Sequence, residues 1–173
     1  KTGLNAAFVI DQATRDRLVK QDKKSAKLLI PFLRGDNIKR WRVESKGLFL
    51  INTPIGKVDI DSYPAIRSWL LPFKKELEKR ATKQEWFELQ QAQLAYQSAF
   101  GKPKVIWPQF MDQPEFCVEP DGLFPINKAY MFPTEDHALV ALLNSKCLWF
   151  CFIAISVPKR GGYREATAQH IGP

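Results

Sequence analysis

Residues 31–41, PFLRGDNIKRW, contain the turn from which the predicted fold extends in both directions. The centre, residues 34–37, has Gly, Asp and Asn, which favour tight turns because they tolerate unusual backbone angles or bond to their own backbone. Before the turn, residues 25–30 are predicted to form a short helix that a proline interrupts. After it, residues 39–43 and 48–52 have the composition of strands. This stretch therefore predicts short helices that alternate with strands.

Further helices are predicted where apolar residues recur at helical spacing. Asp11 can cap the first of them. Pro64 suits the first turn of the second, and Pro72 should kink it. Thr134 can cap the last. These helices cover residues 11–20, 64–80, 84–98, ending at Gly101, and 134–143, the last with a buried continuation to residue 155.

Short strands separated by Pro and Gly turns are predicted over residues 6–10, 104–107, 115–118 and 129–132. Residues 158–173 are predicted to be a loop or tail. The chain has no internal repeat and no Gly/Ser linker, so we expect a single domain over residues 1–173. Its expected class is mixed α/β, or α+β, with one twisted mixed sheet and flanking helices.

The apolar helices are predicted to supply the core. The predicted core residues on them are Trp69, Phe73, Cys147, Trp149, Phe150, Cys151 and Phe152. Trp41 and Trp107 lie beside basic residues, so core and surface positions both stay open for them.

Three cysteines on apolar segments, without the paired spacing of a disulfide framework, indicate a reducing cytoplasm. The apolar run 147–157 is about half the ~20 residues that span a bilayer, so no membrane association is expected. The sequence opens at Lys1 without a leader, which predicts a piece excised from a larger protein.

Positive charge is concentrated in one part of the sequence. The net charge is +8, and residues 15–46 contain eleven basic residues against four acidic ones, a local excess of +7. Such a patch attracts phosphates independently of sequence, which is how most DNA-binding surfaces gain affinity. A solvated face that keeps the domain soluble is the alternative interpretation.

The sequence contains almost no recognisable catalytic motif. His137 and His170 lack partners at metal-ligand spacing, and the sequence has no nucleophile elbow and no glycine-rich nucleotide cradle. Asp36 followed by Glu44-Ser45-Lys46 matches the letters of a metal-dependent nuclease site, but so loose a pattern recurs by chance. We therefore expect no catalytic residues, no metal and no cofactor in this chain.

Seven segments together resemble one family. They are residues 1–10, 31–41 with the pattern Arg-Gly-x-x-Ile-x-Arg-aromatic, LLPF at 70–73, KVIWP at 104–108, GLFPINKAY at 122–130, LLNSK at 142–146 and RGGYR at 160–164. In order and spacing they are similar to the TaqI-like C-terminal specificity domain of type IIG restriction enzymes and related adenine-N6 methyltransferases.

The resemblance implies a DNA target-recognition domain of a bacterial restriction-modification enzyme that binds double-stranded DNA. It also implies that a methyltransferase core of the same polypeptide, with S-adenosylmethionine as its cofactor, flips and methylates the adenine. The chain itself would not be an enzyme, whereas the whole protein would be one.

Phosphate contacts fix register and base contacts specify sequence, so the candidates divide into two groups. The lysines and Arg42 suit phosphates, the other arginines suit guanine edges, and Asn5 and Asn37 suit adenine edges. Tyr163 offers a stacking ring beside Gly161 and Gly162. The DNA-binding candidates are Lys1, Asn5, Lys23, Lys24, Lys27, Arg34, Asn37, Lys39, Arg40, Arg42, Arg160, Tyr163 and Arg164.

Structural roles compete with these assignments. Arg34 could cap a helix end, Arg40 could pair with Glu44, and Asn37 could serve the turn. For the whole chain, the alternatives are a non-catalytic protein-interaction domain with a basic docking face and a nuclease that uses Asp36, Glu44 and Lys46.

Overall fold

Helices and strands alternate along the chain in the computed structural model, which describes residues 2–90, 97–125 and 128–171. The α-helices in these ranges are α1 (Asn5–Phe8), α2 (Gln12–Gln21), α3 (Pro64–Leu70), α4 (Lys74–Leu77), α5 (Gln97–Phe100), α6 (His137–Leu143), α7 (Lys146–Ile155) and α8 (Ala168–Ile171). Short 3-10 helices cover Lys23–Leu28, Gly35–Asn37, Ile60–Ser62, Leu71–Phe73 and Arg160–Gly162.

The strands are β1 (Val9–Asp11), β2 (Leu29–Leu33), β3 (Ile38–Lys39), β4 (Arg42–Val43), β5 (Leu48–Ile51), β6 (Lys104–Pro108), β7 (Phe110–Met111), β8 (Cys117–Glu119), β9 (Phe124–Pro125), β10 (Ala129–Phe132) and β11 (Arg164–Glu165). The mixed α/β class expected from the sequence is confirmed. In place of one twisted mixed sheet, however, the strands form several small sheets, and every pair with a described register is antiparallel.

The chain divides into two compact units. The first comprises Lys1–Phe32 and Gly47–Gln97, and the second comprises Leu33–Lys46 and Ser98–Pro173.

In the first unit, β5 pairs with β1 on one side and with β2 on the other. Asp11 caps α2 as predicted, because its Oδ1 accepts from the backbone N–H of Thr14 at 2.8 Å. That hydrogen bond holds the pKa of Asp11 below its ordinary value. Phe8 and Leu18 are buried beside the sheet. Of the strand predicted over residues 6–10, only Val9 and Ile10 lie in β1, because residues 6–8 belong to the helical turn α1.

The helix predicted over residues 25–30 is confirmed only as far as Leu28, and it is a 3-10 helix. A 3-10 helix ends at Leu28, and the apolar run that follows is β2, in which Pro31 lies opposite Phe49. Pairing of this run with β5 outweighs its helical tendency, which illustrates how tertiary context overrides local propensity.

Pro64 starts α3, and the 3-10 helix around Pro72 separates α3 from α4, as predicted. The helix predicted over residues 84–98 is not found at 84–90, where the chain forms turns and bends. Most of the remainder of that prediction lies outside the described residues. Trp69 and Phe73 are half-buried, and their ring centroids are 6.1 Å apart.

In the second unit, β6 lies between β10 and β8. Trp107 on β6 is fully buried, and its indole N–H donates to the carbonyl oxygen of Ala166 at 2.9 Å. The rings of Phe116, Tyr130 and Phe132 surround it with centroids 4.9 to 5.7 Å away. The three strands predicted in this region are confirmed, with boundaries shifted by up to two residues.

A buried ion pair ties β6 to β8. Lys104 and Glu119 are 0% and 1% exposed, and Lys104 Nζ lies 2.6 Å from Glu119 Oε2. The ammonium also donates to the carbonyl oxygens of Phe100 and Lys102, and Glu119 accepts from two backbone N–H groups. Every donor on the ammonium therefore has an acceptor, as a buried charge requires.

The continuous buried helix predicted to residue 155 is wrong. α6 begins after its cap Asp136, not Thr134, and the helix breaks at Asn144, after which Ser145 caps α7. Phe152 is buried, Trp149 is half-buried, and Phe150 is 75% exposed. The other exposed residues on this face are Cys147, Leu148, Cys151, Ile153 and Ile155. Composition alone predicts burial but does not identify what covers an apolar helix.

No single described helix is long and apolar enough to cross a membrane, although α6 and α7, bent by 60°, pass the same length and composition test as a pair.

The cysteines differ in exposure. Cys117 lies in the core with Leu33, Ile38 and Ile106. Burial raises the pKa of the Cys117 thiol to about 12, and the charge of Glu119 adds to that rise. All three cysteines are free.

The described part of the predicted tail, residues 158–171, contains regular structure. Within them β11 pairs with β7, and α8 begins at Ala168. The glycine-rich composition of this segment does not indicate that one of its strands pairs with a strand far away in the sequence.

We predict that Glu119→Gln lowers the free energy of unfolding by about 3–5 kcal/mol, because the ammonium of Lys104 stays buried without its counter-charge. Urea unfolding followed by circular dichroism measures this change. Glu44→Gln is the matched control, because it removes the same charge from the exposed pair with Arg42 and should change stability by less than about 1 kcal/mol. Equal effects of the two variants would contradict the assigned role of the buried pair.

Candidate nucleic-acid interface

The 3-10 helix Lys23–Leu28 of the first unit carries three exposed lysines, Lys23, Lys24 and Lys27. Asp22 caps this helix: its Oδ1 accepts from Lys24 N at 3.0 Å, and its Oδ2 accepts from the Ser25 hydroxyl at 3.0 Å. Residues three apart eclipse one another in a 3-10 helix, so Lys24 and Lys27 share a face. In the described part of the chain, neither these two nor Lys23 forms an ion pair.

The other candidates of the first unit lie at its N-terminus. Asn5 is exposed at the start of α1, and its Oδ1 accepts from the hydroxyl of Thr2 at 2.6 Å. Lys1 lies outside the described residues.

The second unit carries its candidates first on a hairpin. Residues 39–43, predicted as one strand, instead form β3 and β4, which pair with Lys39 opposite Arg42 and leave Arg40 and Trp41 as the loop. A strand prediction fails here because the sequence has no Gly or Asn to mark the turn.

Acidic neighbours engage two of the hairpin cations. Lys39 Nζ lies 3.4 Å from Glu115 Oε1, and Arg42 Nε donates to Glu44 Oε1 at 3.1 Å. Burial raises the pKa of Glu115, and the charge of Lys39 opposes that rise. The sequence alternative that paired Arg40 with Glu44 is wrong, since Arg42 holds that carboxylate.

A buried asparagine fixes the hairpin loop. The side chain of Asn144, which is 0% exposed, donates to the Phe116 carbonyl at 2.8 Å and accepts from the Phe116 N–H at 3.1 Å. The same Phe116 carbonyl accepts from the backbone N–H of Trp41 at 3.0 Å. The Asn144 carbonyl accepts from Arg40 Nη2 at 2.7 Å. We call this set of four hydrogen bonds the Asn144 clamp.

In the turn before the hairpin, Arg34 is exposed and Asn37 is buried. Asn37 is buried, and its Oδ1 accepts from the Arg34 backbone N–H at 3.2 Å. Asn37 therefore stabilises the turn, which is the alternative to DNA binding that the sequence analysis gives for it. The Arg34 side chain is exposed. A Cβ on Gly35 would lie 2.7 Å from the Lys128 carbonyl oxygen, so only glycine fits this close approach.

A second loop, between α7 and β11, carries Arg160 and Tyr163, and Arg164 follows it as the first residue of β11. Gly161 and Gly162 have φ angles of 77° and 82°, which places Arg160 and Tyr163 at the ends of a tight exposed turn. Arg164 Nη1 instead donates to the carbonyl oxygens of Ile153 and Ser156 at 3.1 and 3.0 Å, at the C-terminal end of α7. Its charge lies where a helix dipole favours a cation.

The residues of the nuclease hypothesis do not assemble into a carboxylate cluster. Asp36 Oδ2 lies 3.6 Å from Lys46 Nζ, and Glu44 pairs with Arg42. Residues 2–90, 97–125 and 128–171 contain no group of three His, Cys, Asp or Glu side chains that could hold a metal ion.

The sequence assigns no role to two residues that shape the hairpin region in the structure. Asn144 lies in the LLNSK segment but carries no chemical motif, and its role depends on Phe116, 28 positions away. The sequence leaves core and surface positions both open for Trp41, and the structure shows it 54% exposed.

Comparisons with known proteins identify the family and the fold. The model of the TaqI-like C-terminal specificity domain family matches residues 30–173. A comparison with curated protein sequences gave no significant match.

Solved structures show the same fold. Significant matches include 17 chains, among them the type IIL restriction-modification enzyme MmeI in complex with DNA, with a TM-score of 0.66 and 12% sequence identity. The match covers 97% of this chain and 23% of that chain. The chain thus spans about a quarter of the length of that enzyme.

Arg160 and Arg164 should differ in how much they contribute to the free energy of unfolding. We predict that Arg164→Ala lowers the free energy of unfolding by about 1–3 kcal/mol, because two carbonyls at the end of α7 lose a charged donor. Arg160→Ala should change it by less than about 0.5 kcal/mol, because that side chain is exposed. Urea unfolding of both variants measures the difference. A stable Arg164→Ala variant would show that the contact contributes little.

Proposed function

Because the chain belongs to the TaqI-like C-terminal specificity domain family, we propose that it recognises a target sequence in double-stranded DNA and carries no catalysis of its own. The observation that carries this proposal is a set of five DNA-binding candidates that are exposed cations and whose charged groups have no partner among the described residues. The set comprises Lys23, Lys24, Lys27, Arg34 and Arg160. Exposed lysines without a partner also occur elsewhere, as at Lys75 and Lys79, but Lys23, Lys24, Lys27 and Arg34 lie in the stretch where the sequence concentrates its positive charge, and such a stretch attracts phosphates.

The geometry supports a division of labour among these cations. The lysines of the 3-10 helix Lys23–Leu28 suit phosphate contacts, which need charge but no fixed orientation. Arg34 and Arg160 suit base edges, because a guanidinium fork can pair with two acceptors of guanine. Arg40 and Arg164 have carbonyl partners within the protein, so we assign them to positioning.

We also propose the wider context that the sequence resemblance implies. The chain would act beside a methyltransferase core of the same polypeptide, which would bind S-adenosylmethionine, in a bacterial, cytoplasmic restriction-modification enzyme of type IIG. The exposed apolar face of α7 supports contact with such a core, because large exposed apolar patches mark protein contacts. The three free cysteines are consistent with a reducing compartment.

Salt dependence tests the phosphate assignment. We predict that simultaneous Lys23→Ala, Lys24→Ala and Lys27→Ala substitutions weaken binding and reduce the slope of log Kd against log salt by about two to three units, since each lysine neutralises about one phosphate. Fluorescence anisotropy of a labelled duplex at several salt concentrations measures this slope.

The matched control is the triple Lys75→Ala, Lys79→Ala and Lys83→Ala, which removes the same charge from exposed positions of the same unit. Its slope should stay near that of the unmodified chain. Absence of binding at low salt by the folded, unmodified chain would contradict the DNA proposal. Salt-sensitive binding that survives the first triple would favour the alternative, a basic face that docks on a protein.

A further inference from the structure

The loop of the β3–β4 hairpin has an unusual backbone. Arg40 and Trp41 are its two loop residues, and Trp41 has a φ of 73°. All the other residues with positive φ in the described ranges are glycines. A positive φ at the second position of a two-residue turn is the place where type II turns have Gly or Asn. A tryptophan occupies the position that sterics would assign to glycine.

Several contacts hold this strained residue in place. Its N–H donates to the Phe116 carbonyl at 3.0 Å, and Arg40 is fixed by the Asn144 carbonyl at 2.7 Å. The guanidinium carbon of Arg40 lies 5.4 Å from the centroid of the Trp41 ring, within cation–π range. Left-handed backbone at a bulky residue persists only where its surroundings impose it, and such strain clusters at functional sites.

The indole of Trp41 contributes little buried apolar area to the fold. Trp41 is 54% exposed, whereas Trp107 of the same unit is fully buried and hydrogen-bonded. Burial of apolar area is the main way in which a tryptophan stabilises a domain. A strained loop that presents a large ring to solvent is therefore better explained by a ligand that the ring contacts.

We propose that Trp41 stacks on a nucleobase of the bound DNA, with Arg40 as the positioning residue that orients the ring. The inference rests on the proposed DNA-binding function. Nucleobases and indole both offer flat π faces, and base–aromatic stacking tolerates any base. In a duplex the neighbouring bases cover both faces of each base, so the ring reaches a base by inserting between base steps, as apolar side chains of DNA-bending proteins do. The fixed loop lets the ring meet the DNA without first being ordered.

Affinity and salt dependence together test this contact. Trp41→Ala should weaken binding of a fluorescein-labelled duplex of randomised sequence by about tenfold or more, with an unchanged salt slope because no phosphate contact is lost. Trp41→Phe should restore much of the affinity, since it keeps a stacking ring. Trp41→Gly should lose affinity as Trp41→Ala does but remain folded, because glycine adopts this φ freely.

Tryptophan fluorescence supplies a readout that a purely structural role would not change. Binding of unlabelled duplex should quench emission of the unmodified chain, and Trp41→Phe should abolish most of that quenching. Trp149→Phe, which alters a half-buried tryptophan of the same unit, should leave it intact.

The outcomes separate the two proposals. Duplex binding by the unmodified chain, combined with full affinity in folded Trp41→Gly or with quenching that survives Trp41→Phe, overturns stacking and leaves DNA binding standing. A folded, unmodified chain that binds no duplex at low salt overturns both.

Discussion

Pairing of two buried backbone groups by one side chain organises the second unit. The N–H and carbonyl of Phe116 precede β8, and buried backbone groups are costly unless they are paired. Asn144 satisfies both, because an amide side chain is a donor and an acceptor at once. Its position also sets the break between α6 and α7, and its own carbonyl fixes Arg40. The clamp therefore links the hairpin loop to the end of α6.

Local features of the fold could be predicted because their causes are local. Asp11 caps α2 through a neighbour three residues away, and Pro64 and Pro72 act on their own turns. The apolar runs of β6 and β10 could also be recognised as strands from their own composition. By contrast, β2 depends on its pairing with β5, and the hairpin at Arg40 and Trp41 contains no turn residue that sequence patterns recognise.

Charge and hydrophobicity located candidate surfaces but did not assign them. The sequence identified the lysines of the 3-10 helix Lys23–Leu28, and the structure shows them exposed. It could not foresee that Arg164 binds the last carbonyls of α7, or that Arg40 reaches a carbonyl 104 positions away. Nor could it show that Phe150 lies on the surface, because an apolar helix has the same composition whether its own chain or another surface covers it.

Hydrogen exchange of the chain with and without duplex DNA, followed by mass spectrometry of peptides, tests the proposed interface most directly. We expect the duplex to slow exchange in peptides that contain the 3-10 helix Lys23–Leu28 and the β3–β4 hairpin, while exchange in α4 stays unchanged. A duplex that binds and slows exchange in α4 or α7, with no change at the lysine helix and none at the hairpin, would contradict both proposed DNA contacts.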